Sequence, residues 1–352
     1  MQIEDVLRLA QEKGASDIHL APGNPLMLRI DGDLEPQADT NLMPKDIDEV
    51  IRPVLKTEQL KTLETVGEVD IAFSLPGFSR IRANVFRQRG TLAAALRILS
   101  YEVPSPEQLG IPKAVVELTN KKRGLVLVTG ATGSGKSTTL ASLIEVIANR
   151  DRKNIITLED PIEYLHSNKR SIVSQREVGF DTETYANALR AALRQDPDVI
   201  LVGEMRDLET ISTAITAAET GHLVFSTLHT NSASDAIDRM IDVFPPHQQQ
   251  QIRIQLADVL ECVIAQQLLP RSDTNGRIAA FEVLLANSAV RNLIREAKTF
   301  QIPSFIQTGK KEGMQTMDDS IMNIYYRNQI SEDTALAFAL DQESMKKNLQ
   351  IM

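Results

Sequence analysis

Eight residues near the middle of the chain constrain its fold more than any other stretch. Residues 130–137 read Gly-Ala-Thr-Gly-Ser-Gly-Lys-Ser and match G-x-x-x-x-G-K-[ST], the phosphate-binding P-loop. The glycines let the backbone curl so that successive N–H groups point at a phosphate. Lys136 is suited to reach the β- and γ-phosphates, and the Ser137 hydroxyl to ligate a bridging Mg²⁺. The pattern predicts binding of a nucleoside triphosphate with Mg²⁺; the alternative is an accidental glycine turn.

The sequence on either side of the loop supports the first interpretation. Residues 125–128 form a short apolar run typical of a buried strand, and residues 137–148 carry apolar side chains at helical spacing. A helix that begins at the loop directs its positive dipole end at the phosphates. The predicted nucleotide-binding residues are Thr132, Gly133, Ser134, Gly135, Lys136, Ser137 and Thr138.

Composition limits the class of protein. A length of 352 residues suggests about two domains, and 42% hydrophobic with 24% charged residues is ordinary for a soluble globular chain. Cys262 is the single cysteine, which excludes an intrachain disulfide and a multi-cysteine metal site and suits a reducing cytosol. We therefore expect a cytoplasmic protein with a core large enough to need no covalent staples.

Charge and hydropathy patterning argue against two other classes. The net charge of −9 opposes broad affinity for nucleic acid, so no nucleic-acid partner is expected. The first residues lack the basic start and apolar core of a signal peptide. No apolar run approaches 18 residues, and the sequence predicts no transmembrane segment.

Residues 1–100 are predicted to form a small α+β domain. Its opening helix has one apolar face, formed by Ile3, Val6, Leu7 and Ala10. Strand-like runs follow at 17–20, 27–30, 70–74, 79–86 and 92–99. Alternation in residues 80–85 places Arg82 on the polar face, and Arg97 stands alone in an apolar run. From the pattern alone, these arginines indicate a solvated sheet face.

The remainder of the chain is predicted to be a P-loop domain over residues 114–352. The proline-rich, aperiodic residues 101–113 are typical of a linker, which would also act as a hinge. Strands and helices then alternate, which predicts a parallel sheet with helices on both faces. After residues 245–246 the pattern is mainly helical apart from a strand at 278–284, and residues 286–352 form a predicted C-terminal helical region.

Acidic residues and histidines follow the predicted strands of this domain. Glu204 ends the apolar strand at 199–202, where a Walker-B acid would act on Mg²⁺ or its waters, and Glu159, Asp160 and Glu163 follow another strand. In open α/β sheets ligands bind at this edge. His229 could contact the γ-phosphate or be structural, and His222 could equally lie at a helix-to-strand turn.

Several stretches together resemble a known family. They are 157–163 (an Asp box), 198–207 (a Walker-B region), 221–231 (a His box), 16–20 (Ser-Asp-Ile-His-Leu), 289–296 (Ala-Val-Arg-Asn-Leu-Ile-Arg-Glu) and 313–318. The chain is similar over nearly its whole length to the type IV pilus retraction ATPases (PilT family) of the type II/IV secretion ATPase superfamily. Val290 stands where the family's AIRNLIRE motif has Ile.

This resemblance implies a fold and a mechanism. The expected fold is α/β, with a PAS-like α+β domain, then a RecA-like P-loop ATPase domain with C-terminal helices. It implies a homohexamer that binds ATP between the PAS-like domain of one subunit and the RecA-like domain of the next. It also implies a motor that hydrolyses ATP to retract a pilus for twitching motility, acting on an inner-membrane platform protein from the cytoplasmic face. A paralogous retraction ATPase is a further candidate partner.

The same resemblance assigns roles to individual residues. Glu163 would be the general base, and Glu204 with Ser137 would hold Mg²⁺. Arg82 and Arg97 would reach the γ-phosphate from the neighbouring subunit. His222 and His229 match the histidines of the His box. The assigned catalytic set is Glu163, Glu204, Lys136, Arg82, Arg97, His229 and His222.

Alternative functions remain open at this point. Pilus-extension and type II secretion relatives carry a four-cysteine zinc motif and a longer N-terminal region, whereas this chain has only Cys262 and reaches residues 16–20 almost at once. An accessory retraction ATPase, a nucleic-acid translocase and a nucleotide-gated scaffold without turnover are the other candidates.

Overall fold

The structure of the protein is a computed structural model that describes residues 1–30, 32–75, 78, 80–99 and 102–350. Residue 350 is described by its backbone alone. Residue Ser79 of one predicted strand and the predicted domain boundary at Ser100 and Tyr101 lie outside these residues. The chain divides into two compact units. The first is Met1–Glu102 with Glu163–Leu165, and the second is Val103–Ile162 with His166–Met352.

The first unit is an antiparallel sheet packed against helices. Its helices are α1 (Ile3–Glu12), α2 (Pro44–Ile51) and α3 (Thr57–Thr65), with a 3₁₀ turn at Arg52–Val54. Its strands are β1 (Asp17–Leu20), β2 (Met27–Ile30), β3 (Asp33–Pro36), β4 (Glu68–Ser74), β5 (Arg80–Gln88) and β6 (Thr91–Ile98). They lie in the order β3-β2-β1-β6-β5-β4, and all neighbours are antiparallel. The predicted α+β character is confirmed, although β3, α2 and α3 were not predicted.

The alternation predicted for this sheet is present in β5. Ile81, Ala83 and Val85 are buried in one apolar cluster with Val6 of α1 and Ile47 of α2. The burial of every second residue leaves the intervening side chains on the opposite face. Arg82 of β5 and Arg97 of β6, which are directly opposite each other, therefore lie on the face away from this core.

The second unit is built on a seven-stranded sheet. Its strands are β7 (Gly124–Thr129), β8 (Asn154–Glu159), β9 (Ile172–Glu177), β10 (Val199–Val202), β11 (Leu223–Leu228), β12 (Leu260–Pro270) and β13 (Arg277–Leu285). Their order is β13-β12-β7-β11-β10-β8-β9. Every neighbouring pair is parallel except β12 with β13. The predicted parallel sheet is confirmed, with an antiparallel hairpin at one edge.

Helices cover both faces of this sheet, as predicted. They are α4 (Pro106–Leu109), α5 (Lys113–Glu117), α6 (Lys136–Arg150), α7 (Tyr185–Ala192), α8 (Leu208–Glu219), α9 (Ala233–Asp242), α10 (Pro246–Val259), α11 (Ser288–Arg295), α12 (Ile302–Thr308), α13 (Met317–Tyr326), α14 (Glu332–Phe338) and α15 (Gln342–Gln350), with 3₁₀ turns at Leu118–Asn120, Thr299–Gln301 and Gly309–Glu312. Leu125 and Leu127 of β7 pack in the cluster that contains α8 and α10. Val126 and Val128 pack in the cluster that contains α6. The strand that leads into the P-loop is thus buried on both sides.

One prediction for this unit was wrong. Residues after 246 were expected to be helical except at 278–284, yet Leu260–Pro270 is an eleven-residue strand. It pairs in parallel with β7 and antiparallel with β13. Residues 262–265 are all buried, because the strand lies inside the sheet with helices on both faces. Burial on both faces removes the polar–apolar alternation that identifies a strand in sequence.

Most of the segment predicted to be an aperiodic linker, residues 101–113, is folded in the structure. Ser105 caps helix α4, and its Oγ accepts a hydrogen bond from the backbone N–H of Gln108 at 3.3 Å. Pro106 occupies the first turn of that helix, where a missing N–H costs nothing. Ile111 is buried in the same cluster as α6. From Val103 onward the segment is therefore folded with the second unit. Among the residues described, no helix combines the length and apolar character needed to cross a membrane.

Candidate nucleotide-binding site

The P-loop connects the carboxyl end of β7 to the amino end of α6, where the sequence predicts it. Gly130 has φ of +150° and Gly135 has φ of +89°, backbone conformations that side-chain-bearing residues rarely adopt. A Cβ at Gly130 would lie 2.4 Å from the carbonyl oxygen of Gln266 in β12. The loop is thus pressed against β12, and only glycine fits at its first position.

The loop contains donors suited to an anion. Lys136 is buried, and its Nζ donates to the carbonyl oxygens of Gly130 at 2.8 Å and Ala131 at 2.9 Å. The buried Oγ of Ser134 has no hydrogen-bond partner among the residues described. A buried hydroxyl without a partner is costly unless a ligand supplies the acceptor. A phosphate oxygen is an acceptor of the required kind, so the loop fits a nucleotide.

A cavity of about 460 Å³ opens beside the loop. Its lining comes from the P-loop, the segment after β11, β12, β13 and the C-terminal region, and consists of Gly130, Ala131, Thr132, Gly133, Ser134, Asn231, Gln266, Gln267, Leu268, Arg277, Phe338 and Leu340. Small-molecule pockets typically measure roughly 300–1,000 Å³ and combine apolar walls with a few polar groups. The part played by β12 and by Phe338 was not predicted, because no sequence pattern joins these distant segments to the loop.

The predicted Walker-B acid and one histidine meet at the same sheet edge. Glu204 follows β10, and its Oε1 lies 3.2 Å from Nε2 of His229, which follows the neighbouring β11. Arg206 also pairs with the Glu204 carboxylate. Burial opposes ionisation, but the hydrogen bond from Arg206 and the charge of His229 hold the pKa of Glu204 below its usual range. The site therefore keeps an ionised carboxylate next to a histidine.

The predicted Asp box is partly structural. Glu159 Oε1 accepts hydrogen bonds from Thr157 Oγ1 at 2.6 Å and from Gln175 Nε2 at 3.0 Å. Asp160 and Glu163 are exposed. Glu163 belongs to the short segment Glu163–Leu165, which is grouped with the first unit although it lies between β8 and β9 in sequence. Of these acids, Glu159 is engaged within its own sheet, and Glu163 remains available to solvent.

Tyr185 is a residue that sequence reasoning missed. It is the first residue of α7, and its hydroxyl lies where a Cβ on Gly203 would come within 2.7 Å. Burial, with the nearby carboxylates of Asp160 and Glu204, raises the pKa of Tyr185. The hydroxyl therefore stays protonated and can donate a hydrogen bond beside the Walker-B strand. A lone tyrosine at a helix start carries no sequence pattern that could reveal this.

Arg82 and Arg97 lie in the first unit, opposite each other on the neighbouring strands β5 and β6. Nε of Arg97 donates to Oδ1 of Asp17 at 2.9 Å. The structure thus brings together the two arginines that the family resemblance singled out, which the strand pattern by itself had identified only as a solvated face.

His222 is not brought to this site within its unit. Its Nδ1 lies 2.9 Å from the carbonyl oxygen of Ala217, at the turn from α8 into β11. His229 follows the other end of β11, and a strand of this length spans about 20 Å. The geometry of His222 is therefore the helix-to-strand turn that the sequence left open.

The residues available for Mg²⁺ agree with the way P-loop sites hold this ion. Ser137 is in the first turn of α6, and Glu204 follows β10. Within the described part of the chain, no three His, Cys, Asp or Glu side chains are placed to hold a metal ion together. Mg²⁺ is commonly held by one or two protein groups plus phosphates and waters, so Ser137 and Glu204 are a sufficient protein set.

Comparison with known proteins extends the similarity over both units. The type II/IV secretion system protein family matches residues 1–333. The "Type IV pilus retractation ATPase PilT" of Pseudomonas aeruginosa is 45% identical over 335 residues, which are 95% of this chain and 97% of that protein. The "Twitching motility protein" of Neisseria gonorrhoeae is 46% identical over 319 residues, 91% of this chain and 85% of that protein. The "Crystal Structure of the Pilus Retraction Motor PilT and Bound ADP" has a TM-score of 0.91 at 49% identity and covers 99% of both chains.

Proposed function

This chain belongs to the type II/IV secretion system protein family, and we propose that it is the ATP-hydrolysing motor that powers retraction of a type IV pilus. The observation that carries this proposal is the extent of the similarity. A retraction ATPase from Pseudomonas aeruginosa is 45% identical and is matched over 97% of its own length. The chain is an ATPase by family, and its P-loop and Walker-B residues are those that such an activity requires.

In the proposed reaction, Glu163 accepts a proton from the attacking water. The water oxygen bonds to the γ-phosphorus, and the bond from that phosphorus to the oxygen of the β-phosphate breaks to give ADP and phosphate. Lys136 and the N–H groups of the P-loop bind the phosphates, with Ser134 as an additional donor. Mg²⁺, held by Ser137 and Glu204, would neutralise charge on the β- and γ-phosphates.

His229 is proposed to couple this site to its surroundings. Its 3.2 Å contact with Glu204 joins the loop after β11 to the loop after β10. A change in the position or charge of Glu204 would therefore alter its hydrogen bond to His229 and the position of the loop that carries His229. His222, which lies at the far end of β11, has no part in the proposed chemistry.

The ring architecture is proposed as the family resemblance implies it. Six copies would share their ATP sites, with Arg82 and Arg97 supplied by the first unit of one subunit to the P-loop of the next. Arginines that enter a phosphoryl-transfer site from a partner contribute roughly 10³–10⁵-fold in rate in other systems. The ring would act on a membrane-embedded platform protein at the base of the pilus, with or without a paralogous ATPase.

The direct test is complementation. In a piliated bacterium that lacks its retraction ATPase, the wild-type chain should restore twitching motility, and Lys136→Ala should not. Restoration of pilus assembly in a strain that lacks the extension ATPase, without any effect on retraction, would show that the motor works in the opposite direction. Hydrolysis stimulated by DNA or RNA would instead favour a nucleic-acid translocase.

The shared site is tested separately with purified protein. ATPase activity should rise with the fraction of hexamer, measured by mass photometry on the same samples. Arg82→Ala should abolish most of this activity without dissolving the hexamer, while Arg87→Ala, an exposed arginine further along the same strand, serves as the matched control. Full activity in a monomer, unaffected by Arg82→Ala, would contradict the shared site.

A further inference from the structure

We propose that Asp17 is a positioning residue that holds the Arg97 guanidinium in the orientation needed to contact a nucleotide phosphate. This inference rests on the proposed function of Arg97 and concerns how the first unit prepares that side chain. Asp17 lies in the Ser-Asp-Ile-His-Leu stretch, to which the sequence assigned no chemical role.

The strand register puts these side chains in one row. Asp17 of β1 is directly opposite Arg97 of β6, and Arg97 is directly opposite Arg82 of β5. On its other side, Asp17 is directly opposite Arg29 of β2. Directly opposed residues in an antiparallel sheet project their side chains on the same face. The row across four strands therefore reads Arg29, Asp17, Arg97 and Arg82.

The contact within the row is a defined hydrogen bond. Nε of Arg97 donates to Oδ1 of Asp17 at 2.9 Å, and Ser16 Oγ donates to the other carboxylate oxygen, Oδ2, at 2.8 Å. The Asp17 side chain is only 15% exposed, whereas the Arg97 side chain is 66% exposed. The largely buried Asp17 carboxylate, on a strand inside the sheet, thus holds Nε of Arg97, while the rest of the Arg97 guanidinium extends into solvent.

The charges in the row explain why a carboxylate is needed there. Arg82 and Arg97 are cations on directly opposed positions, which disfavours their approach. Asp17 is the carboxylate between the arginines of the row, and it offsets this repulsion. Burial would raise the pKa of Asp17, but the hydrogen bonds from Ser16 and Arg97 hold it below its usual value. At neutral pH, Asp17 is therefore ionised beside the charged arginines.

Positioning of this kind affects rate more than folding. An ion pair with one exposed partner contributes little to stability. A flexible arginine that must be ordered when nucleotide arrives, however, loses part of its interaction energy to that ordering. Because Asp17 already restricts Arg97 in the folded protein, the free-energy cost of ordering this side chain is met during folding and not when nucleotide binds.

The experiment compares Asp17→Asn, Arg97→Ala and the double variant in the full-length protein. Asp17→Asn should lower the ATPase kcat by about 10–100-fold, a size typical of a misplaced catalytic group. Binding of a fluorescent ATP analogue, the hexamer fraction and the thermal midpoint should change little. In the Arg97→Ala background, adding Asp17→Asn should cause no further loss, because Asp17 acts through Arg97. Asp48→Asn, which breaks the exposed Asp48–Arg52 pair of the same unit, is the matched control.

Each outcome has a separate meaning. If Arg97→Ala lowers kcat and Asp17→Asn leaves it unchanged, the positioning role is wrong and the proposed role of Arg97 stands. If Arg97→Ala itself leaves kcat unchanged, the proposed role of Arg97 fails and this inference fails with it. If the double variant is much slower than Arg97→Ala alone, Asp17 acts by another route. A fall in the thermal midpoint that matches the loss of activity would show that the pair is merely structural.

Discussion

Nε2 of His229 and Oε1 of Glu204 lie 3.2 Å apart, across the carboxyl ends of two neighbouring parallel strands. The pair joins an ionised carboxylate to a histidine at the edge of the sheet where the P-loop also lies.

Replacing His229 by Ala should slow ATP hydrolysis more than it weakens ATP binding. Loss of a hydrogen bond to a charged group costs about 1.5–3 kcal/mol, which corresponds to roughly 10–150-fold in rate. Steady-state ATPase assays give kcat, and titration with a fluorescent ATP analogue gives affinity. His247→Ala, at an exposed position at the start of α10, is the control. Equal losses of kcat in His229→Ala and His247→Ala would show that His229 has no specific role in hydrolysis.

Glu163→Gln should retain ATP binding and lose most hydrolysis. The amide keeps the size of the side chain but cannot accept the proton from water, and general-base catalysis contributes typically about 10²–10⁴-fold. Single-turnover hydrolysis of radiolabelled ATP measures this loss. Glu183→Gln changes another exposed glutamate in the same way and should hydrolyse ATP normally. Wild-type hydrolysis by Glu163→Gln would show that another group is the base.

Alanine substitutions at two P-loop glycines should lower the free energy of unfolding by different amounts. At Gly130, with φ of +150°, the new Cβ would lie 2.4 Å from the carbonyl oxygen of Gln266. Strain in a region of backbone conformation reserved for glycine costs about 1–3 kcal/mol, and the clash adds to it. At Gly133, with φ of +77°, no atom lies within 4 Å of the new Cβ, so we expect about 1–2 kcal/mol of strain alone. Urea unfolding midpoints should rank Gly130→Ala as the less stable variant, and the reverse order would contradict the described packing of the loop.

Stability should fall between pH 7.5 and pH 5.5 partly because of His166. Its side chain is 2% exposed, and Nδ1 lies 3.0 Å from Oε2 of Glu145 in α6. Burial lowers the pKa of His166 despite the neighbouring Glu145 carboxylate. In the unfolded chain the pKa of histidine is about 6.5, so below that pH the unfolded state binds more protons than the folded state. The contribution of neutral His166 is therefore present above about pH 6.5 and is lost as the pH falls toward the lower pKa of the folded state.

Urea midpoints at the two pH values check this prediction. His166→Gln should show a smaller fall than the wild type over this interval. Glu145, whose pKa is also lowered in the folded state, contributes to a loss that begins at more acidic pH. His247→Gln should retain the wild-type pH dependence. An unchanged fall in His166→Gln would mean that His166 does not titrate as described.

The features that sequence could predict are those encoded in short local patterns. The P-loop, its strand and its helix follow from spacing, and α1 follows from one apolar face. Sequence could place His229 and Glu204 at the same edge of the sheet, but their direct contact depends on the strand order, which brings β10 beside β11.

The features that sequence could not predict depend on burial and on distant segments. Strand β12 has no polar face, so its sequence does not distinguish it from a buried helix, and no local pattern indicates that Gln266 closely approaches the P-loop. Tyr185 reaches Gly203 only because α7 packs near β10. The grouping of Glu163–Leu165 with the first unit breaks the linear order of domains that a sequence pattern assumes.

The bonds of Lys136 to the carbonyls of Gly130 and Ala131 have a consequence for turnover. An arriving phosphate must compete with two backbone oxygens for the same ammonium, and these oxygens recapture the ammonium when the phosphate departs. The hydrogen bonds that Lys136 gives up thus offset part of the free energy of nucleotide binding, and they form again when the product leaves. The loop therefore binds nucleotide less tightly than it would if the Lys136 ammonium had no backbone hydrogen bonds to give up.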